Sequence, residues 1–166
     1  MKNRLLTIAI GILLISATVI LLFPDKGQKG RETDQTTEES VQDLEEVQLI
    51  RVVDGDTIVV NISGEEQYVR LIGIDCPESV NPDESKNTPE GIQASDHTKE
   101  ILSGITTVYL EYDTERIDDY GRILAYVWYI KEDGSMKMLN EQIFLDGYAA
   151  PLTIEPNTKH MDLFSI

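Results

Sequence analysis

Two hydrophobic patterns divide the chain. Residues 5–23 are almost continuously apolar, whereas short apolar runs alternate with polar turns from residue 48 onward. At about 1.5 Å per helical residue, such a run spans roughly 29 Å, close to the hydrocarbon thickness of a bilayer. The run is long for a secretory signal and lacks an A-x-A cleavage site. The pattern therefore predicts a transmembrane anchor over residues 1–23, with a cleaved signal as the alternative.

Residues 24–47 are polar and acidic and show no apolar period. Such a composition buries too little apolar surface to fold, so it predicts a flexible, disordered tether. Basic residues lie on both sides of the apolar run, and those before it favour a cytoplasmic N-terminus. We expect residues 48–166 to form a domain outside the cytoplasm, membrane-bound through the anchor or secreted if the anchor is cleaved.

β-Branched residues are concentrated in five short runs, which predicts five strands. The runs are Gln48–Val53, Thr57–Ile62, Gln67–Ile74, Thr106–Tyr112 and Ile123–Ile130. Thr88 and Pro89 have the cap and first-turn chemistry of a helix that should extend to about Ser103. A second short helix is predicted over Met138–Leu145. Strands interrupted by helices predict a β-rich α+β fold, with the five-stranded OB-fold barrel as the clearest candidate.

The net charge of the chain limits what the protein can bind. Lys+Arg is 14 and Asp+Glu is 30, so the formal net charge is −16. Nucleic-acid affinity depends largely on basic residues that neutralise phosphates, which argues against a tight, passive DNA-binding module. An enzyme needs only a local positive site and a metal ion. The single cysteine, Cys76, excludes an internal disulfide and a multi-cysteine zinc site.

Three polar segments carry residues that can act on a phosphodiester, although each alone has the composition of a turn or loop. Together they supply two carboxylates for a hard cation, two guanidinium groups for a phosphate, and one carboxylate to take a proton from water. These residues are Asp56 and Asp75, Arg70 and Arg122, and Glu78. Residues 70 and 75 point to opposite faces of a flat strand, so their cooperation requires a bend near Gly73.

The order of four segments resembles the staphylococcal nuclease, or thermonuclease-like, family over roughly residues 48–157. The segments are DGDT, RLIGIDCPE, DDYGRILAY and MLNEQIFLDGYA. The resemblance implies an OB-fold barrel and a Ca²⁺-dependent endonuclease acting on DNA and RNA. It also implies that Asp56 and Asp75 bind calcium together with the backbone carbonyl of Cys76. Asp54 and Thr57 would then lie in a second layer around the metal.

The same resemblance assigns the groups around the phosphate. Arg70 and Arg122 would bind the scissile phosphate, and Arg122 would also help the leaving oxygen depart. Glu78 would be the general base or the group that orients the attacking water. Tyr120 would lie near the phosphate pocket.

This sequence departs from the family pattern in three places. Residues 151–155 stand where the family often has aromatics that stack on a base, and Asp119 stands where a basic residue is common. The sequence also stops at Ile166, where the family continues into a long final helix. We therefore expect a shortened C-terminal helix and a frayed tail that contains His160. The domain is expected to be marginally stable unless Ca²⁺, substrate or a partner binds.

Two interpretations other than a nuclease remain open at this point. The acidity, the missing aromatics and the shortened end favour a non-catalytic, surface-tethered OB-fold binding module or a truncated inactive nuclease. The five charged residues of the phosphodiester set favour an enzyme, since a binding module has no chemical need to keep them together. The predicted partners are a nucleic acid substrate and the membrane, without a stable protein partner.

Overall fold

A ring of five strands forms the centre of residues 44–165, the part of the chain described by the computed structural model. β1 (Leu44–Asp54) pairs antiparallel with β2 (Thr57–Ile62) and with β5 (Thr107–Glu111). β2 pairs antiparallel with β3 (Glu65–Leu71), and β5 with β6 (Ile123–Ile130). β3 and β6 pair in parallel and close the ring. The five predicted strands therefore form a closed barrel of the OB type.

Smaller elements complete the fold. β4 (Gly73–Asp75) pairs with β8 (Ala150–Leu152), and β7 (Met136–Met138) extends the barrel sheet beside β6. The helices are α1 (Pro89–Ile101) and α2 (Leu139–Leu145), with 3₁₀ turns at Glu84–Lys86 and Met161–Phe164. The Thr88 side chain accepts a hydrogen bond from the Gly91 amide at 3.0 Å, which confirms the predicted helix cap.

Several boundaries differ from the sequence-based expectation. β1 begins at Leu44, so residues 44–47 of the predicted tether are strand, and they pair with β5. The predicted third strand is two strands, β3 and β4, because Gly73 has a φ of +90° and turns the chain. α1 ends at Ile101, two residues before the predicted Ser103.

The predicted membrane segment, residues 1–23, and residues 24–43 of the tether lie outside the described residues. Among residues 44–165, no helix is long and apolar enough to cross a membrane. The anchor, the tether and the location of the domain stay predictions.

The core fills the barrel and the space beneath α2. It consists of aliphatic and aromatic side chains with almost no exposed surface, including Ile58, Val69, Leu71, Leu110, Tyr126, Leu139 and Ile143. Asn140 is a polar residue of α2 that is fully buried against this core. Its amide donates to the carbonyl of Ile72 at 2.8 Å and accepts from the amide of Val127 at 2.8 Å. Because both groups are satisfied, Asn140 fastens α2 to the barrel beside the Gly73 bend.

The expectation of a frayed tail is wrong for residues up to 165. Phe164 is only 2% exposed, and its ring meets Phe144 edge-on at 5.8 Å. His160 Nε2 lies 3.0 Å from a carboxylate oxygen of Glu111. The same carboxylate accepts from Trp128 Nε1 at 2.7 Å and pairs with Lys159 Nζ at 2.8 Å. These contacts hold the segment against β5 and β6.

Candidate active site

The turn between β1 and β2 carries two buried aspartates. Asp56 Oδ2 accepts from the backbone amide of Cys76 at 2.8 Å, and its Oδ1 accepts from Thr57 Oγ1 at 3.0 Å. Burial raises the pKa of Asp56 above its ordinary value, although Arg70 and the Cys76 amide favour the charged form. Asp54 accepts from the Gly55 amide at 2.8 Å and from the hydroxyl of Ser79, in the loop after β4, at 2.6 Å. The turn therefore orients one carboxylate toward β4 and the other toward the loop that follows it.

Arg70 joins the carboxylates of Asp56 and Asp75. Its side chain is 7% exposed, and its Nη1 lies 3.2 Å from Asp56 Oδ2 while its Nη2 lies 2.8 Å from Asp75 Oδ1. Nη1 also donates to the carbonyls of Leu71 and Ile74 at 2.9 and 2.8 Å. The bend at Gly73 makes this possible, because it turns the chain back toward Arg70. Asp75 remains 59% exposed on its side chain, so the cluster opens to solvent on that side.

Arg122 is oriented by the turn that precedes β6. Its Nε donates to Asp118 Oδ2 at 2.7 Å, and the other oxygen of Asp118 accepts from the amides of Tyr120 and Arg122 at 2.9 Å each. Burial opposes ionisation of Asp118, but these hydrogen bonds outweigh it and lower the pKa of Asp118. The Arg122 Cζ lies 5.4 Å from the centre of the Tyr120 ring, which is 85% exposed. The terminal amino groups of Arg122 make no hydrogen bond to residues 44–165.

Glu78 lies in the loop after β4, where its side chain is exposed. Its backbone carbonyl accepts from the Thr88 amide at 2.9 Å. The next residue, Ser79, donates from its hydroxyl to Asp54 Oδ1 at 2.6 Å and from its amide to Asp54 Oδ2 at 3.2 Å. The loop is therefore attached to the β1–β2 turn on one side and to the start of α1 on the other.

The structure brings some of the predicted site residues into direct contact and leaves others apart. Asp56, Arg70, Asp75 and the Cys76 backbone form one connected cluster. Among residues 44–165, no hydrogen bond or ion pair links the side chain of Glu78 or of Arg122 to that cluster. No group of three or more His, Cys, Asp or Glu side chains with metal-binding geometry occurs in the described part of the chain. The Cys76 thiol is buried, and burial raises its pKa, which favours the neutral thiol.

Sequence reasoning assigned no role to two residues that shape the site. Ser79 connects Glu78 to Asp54, and Asp118 holds the Arg122 guanidinium. A serine directly after a candidate base gives only a weak signal. Asp118, four residues before Arg122 and ahead of Tyr-Gly, has the composition of an aspartate-capped turn, which is a usable signal.

Comparison with known proteins places this geometry in a family. The family model for staphylococcal nuclease homologues matches residues 68–165. A thermonuclease of Staphylococcus hyicus is 45% identical over 114 residues, which cover 69% of this chain and 63% of that protein. A thermonuclease of Staphylococcus intermedius is 44% identical over 110 residues, covering 66% and 61%. The endonuclease YncB of Bacillus subtilis is 39% identical over 125 residues, covering 74% and 56%.

The aligned part of this chain thus spans about three fifths of the length of these relatives. The family-model match includes Arg70, Asp75, Glu78 and Arg122 and begins after Asp56. The five-stranded closed barrel fits the fold of this family, and the family model matches more than half of the chain. The chain belongs to the family of staphylococcal nuclease homologues.

Proposed function

We propose that this chain is a Ca²⁺-dependent endonuclease that hydrolyses phosphodiester bonds of DNA and RNA. The observation that carries the proposal is the buried Arg70 guanidinium, which lies beside two carboxylates from different elements, Asp56 and Asp75. Burying the charged groups of Arg70 and Asp56 costs free energy of desolvation. Clusters of buried, interacting charged groups are frequent at functional sites. The relatives are named thermonucleases and endonucleases, which supports a nucleic acid substrate.

The residues of the cluster suit a hard cation. Asp56, Asp75 and the Cys76 carbonyl offer only oxygen donors, which is the ligand chemistry that Ca²⁺ prefers. Asp75 uses Oδ1 for Arg70, and its other oxygen makes no hydrogen bond to residues 44–165. Since Ca²⁺ takes 6–8 ligands, water and substrate oxygens would complete its shell. When bound, the ion would supply positive charge that polarises the phosphoryl group.

The two arginines have different freedom. The terminal amino groups of Arg122 are available, since Asp118 engages only its Nε, and they can form a two-pronged contact with a phosphate. Arg70 already donates to two carbonyls and to Asp75, so it can offer a phosphate only its remaining N–H groups. We assign Arg122 the main contact with the scissile phosphate and its leaving oxygen. Arg70 adds positive charge and keeps the two carboxylates in place.

Glu78 has the role of general base or of the group that orients the attacking water. Its exposed carboxylate makes no hydrogen bond to the described residues, so it is free to accept a proton from water. Tyr120 would contribute its exposed ring and hydroxyl beside the phosphate, and Asp54 and Thr57 would hold the surrounding backbone and the Asp56 carboxylate. We further propose that the predicted N-terminal anchor holds this domain on the outer side of the cell membrane.

The test uses the full-length chain in detergent with a fluorescent DNA oligonucleotide and an equivalent RNA. Cleavage should require added Ca²⁺ and stop with a chelator. Glu78→Gln should lower the rate by about 10²-fold or more, the usual contribution of a general base. Glu84→Gln, in an exposed 3₁₀ turn of the same loop, is the matched control and should leave the rate unchanged. Absence of cleavage by the folded wild-type chain would favour the non-catalytic binding module.

A further inference from the structure

The position of Glu78 is set by its backbone. Its carboxylate is exposed and makes no hydrogen bond to residues 44–165, and the loop around it has no regular secondary structure. A base must nevertheless be held within hydrogen-bonding distance of the proton it accepts. The contacts of the neighbouring backbone must therefore determine where the carboxylate lies.

On one side, Gly91 admits the Glu78 backbone into the first turn of α1. A Cβ atom at residue 91 would lie 2.1 Å from the Glu78 carbonyl oxygen, 2.4 Å from its carbonyl carbon and 2.8 Å from the Pro77 carbonyl oxygen. These neighbours are backbone atoms, so the contact cannot be relieved by a side-chain rotation. Thr88 completes the arrangement, because its amide donates to the same Glu78 carbonyl at 2.9 Å. Only glycine permits this approach of loop and helix.

On the other side, Ser79 ties the loop to the β1–β2 turn. Its hydroxyl and amide both donate to the Asp54 carboxylate, at 2.6 and 3.2 Å. Asp54 is buried and lies two residues before Asp56 in the same turn. The position of Glu78 is thus coupled to the turn that carries one of the cluster carboxylates.

We propose that Gly91 and Ser79 are positioning residues for Glu78. Gly91 acts by letting α1 contact the Glu78 carbonyl, and Ser79 acts by fixing the following residue to Asp54. Both residues would act through Glu78 and not through a contact of their own with the substrate. The inference rests on the proposed role of Glu78 as base or water-orienting group.

Gly91→Ala in the full-length chain tests the first contact. Alanine is the better helix former, so without the contact the substitution would leave the helix unchanged or more stable. We expect kcat to fall about 10- to 100-fold, the range typical of a displacement near 1 Å. The KM for DNA and the Ca²⁺ concentration for half-maximal rate should stay unchanged. Gln93→Ala, at an exposed position of the same helix, is the control and should retain full activity.

Ser79→Ala tests the second contact with a smaller structural change, and it carries the test if Gly91→Ala does not fold. We expect kcat to fall about 3- to 30-fold, and Ser79→Thr should restore most of it because it keeps the hydroxyl. Ser85→Ala is a matched control, because Ser85 makes the same 2.6 Å bond from its hydroxyl to an aspartate, Asp83, away from Glu78. Full activity of Ser79→Ala, or no rescue by threonine, would contradict the role of Ser79.

A double-mutant cycle separates positioning from a general structural effect. In a Glu78→Gln background, Gly91→Ala and Ser79→Ala should lower the residual rate no further, because the group they position is gone. If each still lowers the rate by its original factor, they act through another part of the site and the inference is wrong. An inactive wild-type chain, or a fully active Glu78→Gln variant, would instead overturn the proposed function and the inference with it. An active wild type with normal Gly91→Ala and Ser79→Ala variants would overturn the inference alone.

Discussion

Replacement of Arg70 by lysine tests the cluster at its centre. The guanidinium places two nitrogens at different points, one at the carbonyls of Leu71 and Ile74 and the other at Asp75. A lysine ammonium keeps the charge but has a single nitrogen, so it cannot occupy both points. Arg70→Lys must therefore give up either the carbonyl contacts or the bond to Asp75.

The expected size of the effect follows from these contacts. Loss of one buried hydrogen bond to a charged group lowers the free energy of unfolding by about 1.5–3 kcal/mol. That is a large part of the 5–15 kcal/mol typical of a whole domain. Cleavage should be affected more strongly, by about 10²–10³-fold, because Arg70 also supplies directed N–H donors where charge develops on the phosphate.

Two measurements on the full-length chain check this prediction. Urea unfolding can be followed by the fluorescence of Trp128, the single tryptophan, and Ca²⁺-dependent cleavage by a labelled oligonucleotide. Arg51→Lys is the matched control, because Arg51 forms an ion pair with Glu66 in which its side chain is 44% exposed. Exposed pairs contribute little, so the control should change neither quantity noticeably. If Arg70→Lys cleaved at the wild-type rate, the reasoning about the guanidinium would be refuted.

Three further predictions concern stability. Phe164→Ala should lower the free energy of unfolding by about 3–5 kcal/mol, measured by urea titration, whereas Leu145→Ala, at a 67% exposed position, should lower it little. Burial alone would raise the pKa of Glu111, but hydrogen bonds from His160, Lys159 and Trp128 lower it to about 2. The stability that Glu111 contributes is therefore present above about pH 4.5 and is lost as the pH falls toward 2; Glu111→Gln should flatten that part of a stability–pH curve by about 2 kcal/mol. Added Ca²⁺ should raise the melting temperature in calorimetry, because an ion at one hundred times its Kd increases the free energy of unfolding by about 2.7 kcal/mol. An unchanged melting temperature would count against a metal site.

The barrel could be predicted because its signals are local. Runs of β-branched residues marked the five strands, and Thr88 with Pro89 marked the start of α1. The paired positions of β3 and β6 are far apart in sequence, so no local pattern predicts this pairing. Closure of the barrel could be inferred only from the fold class that the strands and helices indicated. The family resemblance supplied the same topology independently.

The site could be predicted as a set of residue types and only partly as a geometry. Sequence reasoning required a bend near Gly73, and the positive φ there provides it. It gave no indication that Arg70 Nη1 donates to two backbone carbonyls, because those contacts depend on how the bend folds back. The contacts of Ser79 with Asp54 and of Gly91 with Glu78 join residues 25 and 13 positions apart across loops, and no local pattern encodes them.

His97 and His160 show the same limit for polar surface residues. Neither histidine could be assigned a contact partner from sequence alone. His97 stacks on Tyr148 at 4.1 Å and lies 2.7 Å from Asp146, which joins α1 to the segment around α2. His160 contacts Glu111, 49 residues earlier in the chain. Partners this distant are determined by the completed fold.

The strand that carries Asp75 depends on partners that come much later in the chain. β4 pairs with β8, and the ring of Phe164 occupies the space beside Gly73, where a Cβ would lie 2.3 Å from it. Because ribosomes make a chain from its N-terminus, these partners emerge after all five barrel strands. A nascent chain can therefore complete the pairing of the strand that carries Asp75 only after all five barrel strands have been made. Under the proposed function, cleavage of nucleic acid would begin only after β8 and Phe164 have packed against the strand that carries Asp75.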